Sequence, residues 1–238
     1  MKIALLGYGK MGKEIEKIAL QRNHEIILTI DNDDDWQKKG DKLKEADAAI
    51  EFTMPACVVD NIKKCFSANV PIVVGTTGWL NIKDEIELEC KKTNQTLIYG
   101  SNFSIGVNLF FEINRRLAQL MNHFDEYDLS IEEIHHTTKL DAPSGTAISL
   151  ANDILKLIDR KGKWINETSS KPEELQIISK RIENVPGTHI ITYDSDVDTI
   201  EIKHTVKNRK GLAKGAVLAA EWIVDKKGFF EVKDFLTF

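Results

Sequence analysis

The sequence predicts an α/β protein: a doubly wound parallel sheet comes first, then a second α+β unit built on a mixed or antiparallel sheet. Three observations predict it. Over the first hundred residues, short continuous apolar runs alternate with amphipathic stretches, the pattern of parallel strands buried on both faces by helices. After Ser104 the period changes to three and four residues, then to two, so one long helix is followed by strands with unlike faces. Near the end an apolar segment rich in small residues, GLAKGAVLAAEWIVDKK, reads as a helix that packs closely on a sheet and rejoins the first unit.

The strand candidates of the first unit lie at 3–6, 26–30, 48–52, 72–74 and 97–99. Ile105, Leu109, Ile113, Leu117 and Leu120 mark the long helix, and Tyr127, Leu129 and Ile131 open the alternating strands. Further strands fit near 175–182, 188–193 and 200–206, with a single helix near 144–158. The expected division is 1–106 plus 207–238 for the first domain and 107–206 for the second. One face of the second sheet is left partly apolar, which suits a sheet-to-sheet homo-oligomer.

The chain has 238 residues, 42% of them hydrophobic, enough for a substantial core. A net charge of -5 against 32 basic and 37 acidic side chains gives no global field for nucleic acid or an anionic membrane. Any anionic ligand must therefore be held by local groups. Cys57, Cys65 and Cys90 are odd in number and lack CxxC spacing; they read as reduced, packed thiols on helices of a cytoplasmic protein. The opening apolar run stops at Gly7, too short for a signal-peptide core or a membrane span.

Gly7-Tyr8-Gly9-Lys10-Met11-Gly12 follows the first strand and opens the first helix. In that setting Gly7 permits a tight turn, Gly9 lets backbone approach a pyrophosphate, and Gly12 lets helix touch strand, with the phosphates on the helix N-terminus. Asp31 ends the second strand 19 residues beyond Gly12, where a carboxylate can accept hydrogen bonds from an adenosine ribose. Dinucleotide binding is the expectation. Asn32 and Asp33 to Asp35 extend the acidic run with no arginine to receive a 2′-phosphate, so of NADH and NADPH the former is weakly favoured; Lys10, Lys38 or Lys39 could still reach such a phosphate. The loops Phe52-Thr53-Met54-Pro55, Val74-Gly75-Thr76-Thr77-Gly78 and Gly100-Ser101-Asn102-Phe103 leave the same sheet edge and should line the nicotinamide half of the cleft.

The richest segment chemically is HHTTKLDAPSGTA, 135–147, at a strand end before a helix. Ser144 is a natural N-cap. Free amides near Gly145 and Thr146 offer a seat for a carboxylate, with Lys139 adding a full positive charge. His135 and Lys139 close together suit proton transfer, because a cationic neighbour and partial burial lower a histidine or lysine pKa. The adjacent His135 and His136 point apart in an extended chain and no third ligand is evident, so no metal is expected.

HHTTKLDAPSGTA resembles the signature of the 4-hydroxy-tetrahydrodipicolinate reductase (dihydrodipicolinate reductase) family of bacterial lysine and diaminopimelate synthesis. GYGKMG, GTTG, SNFSIGVN and HTVKNRKGLAKGA are similar to that family's nucleotide loop, middle loop, hinge and return segment, so the resemblance covers nearly the whole chain. It implies a Rossmann domain, a substrate and tetramerisation domain, an NADH or NADPH cofactor, and a cyclic imine dicarboxylate as substrate. It further implies His135 as proton donor or acceptor and Lys139 as proton donor, with His136, Ser144, Gly145 and Thr146 at the substrate. Gly7 to Gly12, Asp31, Thr53, Gly75 to Thr77, and Tyr99, Gly100, Ser101 and Asn102 would meet the cofactor. The rival readings are another two-domain dehydrogenase, acting on an amino acid or semialdehyde, and an NADH-binding sensor without turnover.

Overall fold

The computed structural model describes residues 1–236. In chain order the elements are β1 (Lys2–Leu6), α1 (Lys10–Gln21), β2 (Glu25–Ile30), α2 (Asp33–Lys39), β3 (Ala48–Glu51), α3 (Pro55–Ser67), β4 (Ile72–Val74), α4 (Lys83–Lys92), β5 (Thr96–Tyr99), α5 (Ile105–Met121), β6 (Asp128–His135), α6 (Gly145–Leu155), β7 (Lys163–Ile165), β8 (Glu174–Arg181), β9 (Thr188–Asp194), β10 (Thr199–Thr205), α7 (Lys210–Ile223), β11 (Gly228–Glu231) and α8 (Val232–Leu236). They form two compact units: Met1–Ile105 continued by the segment from Arg209 onward, and Gly106–Asn208.

In the first unit six parallel strands run in the order β11-β5-β4-β3-β1-β2. Alternation along β1 sends Ala4 and Leu6 to one face and Ile3 and Leu5 to the other, all fully buried. Val58 and Ile62 of α3 and Ile86 of α4 cover the first face; Ile15 of α1 and Val217 of α7 cover the second. The small residues of α7 have a steric reason: a β-carbon on Gly215 would stand 1.7 Å from the Phe103 carbonyl oxygen. Only glycine lets that helix approach so closely.

Two features of this unit depart from expectation. The acidic run, not assigned to any element in the sequence, opens α2: Asn32 is its N-cap, accepting from the Asp35 N–H, and Asp33, Asp34 and Asp35 fill the first turn while Lys38 and Lys39 sit in the last. That distribution matches the helix dipole at both ends. Of the three thiols expected to pack, Cys65 and Cys90 are buried but Cys57 is exposed, because α3 turns Val58, Ile62 and Cys65 inward.

The second unit has a mixed sheet in the order β10-β9-β6-β8-β7. Its central strand β6 pairs antiparallel with β9 and parallel with β8. Leu129 and Ile131 of β6, Leu175 and Ile177 of β8, and Ile191 and Tyr193 of β9 form its inner face. Phe110 and Ala118 of α5 and Leu150 and Ile154 of α6 pack against it. The short strand β7 was too brief to show a period in the sequence.

Candidate active site

In the first unit the strand order reverses between β3 and β1, the point beyond whose C-terminal strand ends open α/β sheets bind ligands. Gly7 there has φ +95°, and a β-carbon on it would lie 2.1 Å from the Phe52 carbonyl oxygen. Gly12 is equally constrained, its β-carbon position being 2.2 Å from the Gly7 oxygen. Gly9 differs. It caps α1 with no side chain on the first-turn amides, and its β-carbon position has nothing within 4 Å. It therefore borders open space at a helix N-terminus, the fit a dinucleotide phosphate requires.

A cleft of about 420 Å³ is lined by Gly7, Gly9, Asp31, Thr53 and, from outside the predicted set, Trp36 and Asn61. A second, of about 460 Å³, is lined by Gly9, Lys10, Met11, Thr53, and Gly75 to Thr77. The Tyr8 N–H donates to Asp31 Oδ1 at 2.9 Å, fixing that carboxylate beside the glycine loop. The Thr53 N–H donates to Thr76 Oγ1 at 2.8 Å and the Thr53 hydroxyl to Glu51, tying the two loops together. Lys39 pairs with Asp35 at 2.9 Å and Lys38 with Asp34 at 3.6 Å, so both are committed to carboxylates of α2.

Tyr8, Gly12 and residues 99–102 do not line either cleft. Tyr99 has a packing role, its ring edge-on to Trp79 at 5.3 Å. A β-carbon on Gly100 would meet Val232 at 2.1 Å. The Asn102 side-chain oxygen accepts from the Ser104 N–H.

In the second unit the alternation of β6 continues past its apolar part, so Glu133 and His135 share the inner face of Leu129 and Ile131. His135 is 7% exposed while His136 is exposed, its Nδ1 2.8 Å from the Thr138 hydroxyl. The two histidines thus point apart. Burial pushes the His135 imidazole below its usual range; Glu133 opposes this, and Lys139 and Arg181 add to it. The Lys139 ammonium is clasped by both oxygens of Asp141, at 2.7 and 2.9 Å.

Ser144 caps α6, its hydroxyl accepting from the Ala147 N–H at 3.2 Å. It is 3% exposed, with its N–H donated to Glu133 Oε2 and its Oγ 3.1 Å from His189 Nε2. Its N–H and its hydroxyl both have partners inside the unit. Gly145 is exposed with nothing within 4 Å of its β-carbon position, and the Thr146 amide follows it in the first turn.

Glu133, Arg181 and His189 were not singled out in the sequence. Register brings them in: Glu133 lies opposite His189 on β9 and His135 opposite Arg181 on β8. Among the described residues, Glu133, His135 and His189 are the group whose ligand-type atoms fall within 4.8 Å of one another. Arg181 nitrogens stand 3.4 Å from Glu133 Oε1 and the Ser144 N–H donates to Oε2, so both oxygens of the carboxylate have partners within the unit.

A glycine loop at the sheet's switch point and a histidine-lysine strand end before an uncovered helix turn define an NAD(P)H-dependent oxidoreductase. Two family profiles agree: "Dihydrodipicolinate reductase, N-terminus" matches residues 1–103 and "Dihydrodipicolinate reductase, C-terminus" matches 106–236. A 4-hydroxy-tetrahydrodipicolinate reductase of Christiangramia forsetii is 48% identical over 237 residues, covering 100% of this chain and 98% of the relative. One from Bdellovibrio bacteriovorus is 36% identical, covering 99% of this chain and 96% of its own. A dipicolinate-bound dihydrodipicolinate reductase from Paenisporosarcina sp. TG-14 has the same fold, with a TM-score of 0.77 at 22% identity over 97% of each chain. The chain belongs to the dihydrodipicolinate reductase family, the NAD(P)H-dependent reductases of lysine and diaminopimelate biosynthesis.

Proposed function

We propose that the chain reduces 4-hydroxy-tetrahydrodipicolinate to tetrahydrodipicolinate, with Lys139 and His135 handling the proton. The observation that carries this reading is the end of β6: a buried histidine and a carboxylate-held lysine lie on the segment that leads into the open first turn of α6. Gly145 and Thr146 amides there hold one substrate carboxylate, and the exposed His136 serves the same anion. Lys139 leaves Asp141 to meet the substrate and supplies the proton, while His135, kept neutral by burial, takes or returns it at Nε2. A bound nicotinamide supplies the hydride; a hydride and a proton are added and water is lost.

For the cofactor, Gly7, Gly9 and the α1 amides hold the pyrophosphate, Asp31 accepts from the adenosine ribose, and Thr53 with Gly75 to Thr77 lines the nicotinamide side. NADH is the preferred form: the carboxylates of α2 repel a 2′-phosphate, and Lys38 and Lys39 are already paired. Residues 1–106 with 207–238 are the dinucleotide-binding domain, and 107–206 bind substrate and build a homotetramer. Support for the tetramer is the outer face of the second sheet, where Ile134, Ile178 and Ile190 stay half-buried in the single chain. The work takes place in the cytoplasm, in keeping with three free thiols and with the fact that, among the described residues, no helix is long and apolar enough to cross a membrane.

The test is oxidation of NADH and NADPH by freshly generated substrate, comparing the intact chain with Lys139→Ala and His135→Ala. Turnover in either variant should fall about 10²- to 10⁴-fold while NADH still binds. A folded, NADH-binding wild-type chain without turnover would overturn the substrate assignment.

A further inference from the structure

One buried group has no part in the chemistry just described. Glu133 is fully buried in the middle of the second unit, where an isolated carboxylate is costly. Each of its oxygens has a partner: Oε2 accepts the Ser144 N–H at 3.0 Å, and Oε1 receives Nη1 and Nη2 of Arg181, both at 3.4 Å. Behind it, His189 Nε2 lies 3.8 Å from Oε2 and 3.1 Å from the Ser144 hydroxyl.

The imidazole of His135 is set against the same carboxylate. Its Nδ1 stands 3.5 Å from Glu133 Oε2, buried and without a hydrogen bond of its own. On the other side of the ring, a β-carbon on Gly187 would come within 3.1 Å of Nε2. Glycine there spares Nε2 the crowding that a side chain would bring. The ring is held edge-on to His189 at 5.2 Å between centroids.

We propose that Glu133 is a positioning residue, whose carboxylate fixes His135 as the Nδ1–H tautomer with Nε2 outward and anchors the first turn of α6 through Ser144. The proposal rests on His135 being the proton-transfer group. One buried charge then aligns the two halves of the site, the proton carrier and the anion-binding turn. An imidazole with Nδ1–H toward a carboxylate has its lone pair on Nε2, and its cationic form is stabilised when Nε2 takes a proton. The contact is long at rest and shortens when the ring becomes charged. The charged and titratable groups facing His135 are Glu133 on its own strand, Arg181 on β8, His189 on β9, and Lys139 and Asp141 on the following loop. Glu133 is the strongest of them that favours the cation. Burial pushes the Glu133 carboxyl up, but hydrogen bonding from Ser144 helps to hold it below its usual range, so it stays ionised to play that part.

The experiment is a long-range ¹⁵N–¹H titration of the His135 ring in the wild type and in Glu133→Gln, with pH profiles of kcat/KM for both. The expected wild-type tautomer is Nδ1–H. In Glu133→Gln the His135 midpoint should move to lower pH, the tautomer preference should be lost, and the matching limb of kcat/KM should move with it while its plateau falls about tenfold or more. NADH affinity should be unchanged. A wild-type ring that is mainly Nε2–H overturns the proposal, and that measurement needs no variant to fold. So does a Glu133→Gln profile that superimposes on wild type after scaling, since a merely structural role lowers activity without moving the limb. If the wild type fails to turn over the substrate, the reaction assignment falls, and the ring titration still decides the role of Glu133.

Discussion

The two units each present an open helix N-terminus, and they reach it with opposite materials. At α1 the first unit uses backbone: Gly7 and Gly12 are glycines because a β-carbon would strike the chain at 2.1 and 2.2 Å, and Gly9 is bare toward the cleft. At α6 the second unit uses side chains, with the turn capped by Ser144 and underpinned by Glu133, Arg181 and His189. A backbone site is tuned by what is missing, a side-chain site by what is paired. The first should fail by collision, the second by titration.

The largest expected effect breaks the backbone site. Gly7→Ala forces a β-carbon into the Phe52 carbonyl at a positive φ, and should destabilise the fold by about 3 kcal/mol or more, read as a drop in the denaturant midpoint. Gly9→Ala is the matched control, with nothing within 4 Å. Its midpoint should stay at the wild-type value while NADH dissociation rises about tenfold or more, because the methyl occupies the phosphate's space. Equal loss of stability in both variants would remove the distinction between packing and ligand-facing glycines.

Next comes the side-chain site. Burial, aided by His135, pushes His189 from 6.5 in an open chain down to about 4. The fold favours the neutral ring, so its contribution is complete above pH 6.5 and is lost as pH falls toward 4. At roughly 1.4 kcal/mol per unit, that is on the order of 3 kcal/mol. Glu133, also held low, adds a contribution that is present above the ordinary carboxylate range and is lost as pH falls through its own lowered value. Unfolding free energy of His189→Gln should therefore be flatter than wild type between pH 6.5 and 4. Parallel curves would mean that His189 does not carry the acid sensitivity of this unit.

This contrast also explains what could be read before folding. The glycine loop, Asp31 and the 135–147 segment are local patterns, complete within a few residues of chain, and apolar runs mark the strands that carry them. Glu133 was half legible: the alternation of Leu129 and Ile131 extends by two and four residues to put it and His135 on the inner face. His189 and Arg181 were not, since nothing local says that β9 pairs antiparallel and β8 parallel with β6 in that register. Trp36 went unseen for a related reason: the acidic run looks like solvent-facing turn until Asn32 caps it into α2. Short strands such as β11 and β7 take their structure from neighbours, and their few residues carry no period.

A smaller effect tests whether the second unit also has a bare backbone position. Gly145 begins α6 with nothing within 4 Å of its β-carbon site. Gly145→Ala should leave stability unchanged or slightly raised, alanine being the better helix former. It should raise KM for the dicarboxylate about tenfold, with kcat less affected, because a methyl at the amide turn displaces the carboxylate and spares the proton carrier. A fall in kcat with KM unchanged would place the anion elsewhere in the unit.

The smallest effect concerns coenzyme choice, and it sharpens the comparison because here a side-chain feature borders the backbone site. Asp33 lines the cleft of Gly7 and Asp31 and sits in the first turn of α2. Asp34 and Asp35 have lysine partners at 3.6 and 2.9 Å, whereas among the described residues Asp33 has none to offset its charge. Exposed charges act on one another by about 1 kcal/mol or less, so Asp33→Asn should change the NADH to NADPH ratio of kcat/KM by only about threefold to fivefold, toward NADPH. The shift should shrink as salt rises, since the interaction is screened over about 10 Å at 0.1 M. A salt-independent change would point to altered shape in α2, and no change at all would move the discrimination to Asp31 itself, where the carboxylate is fixed by the Tyr8 N–H at 2.9 Å and a 2′-phosphate would meet it directly.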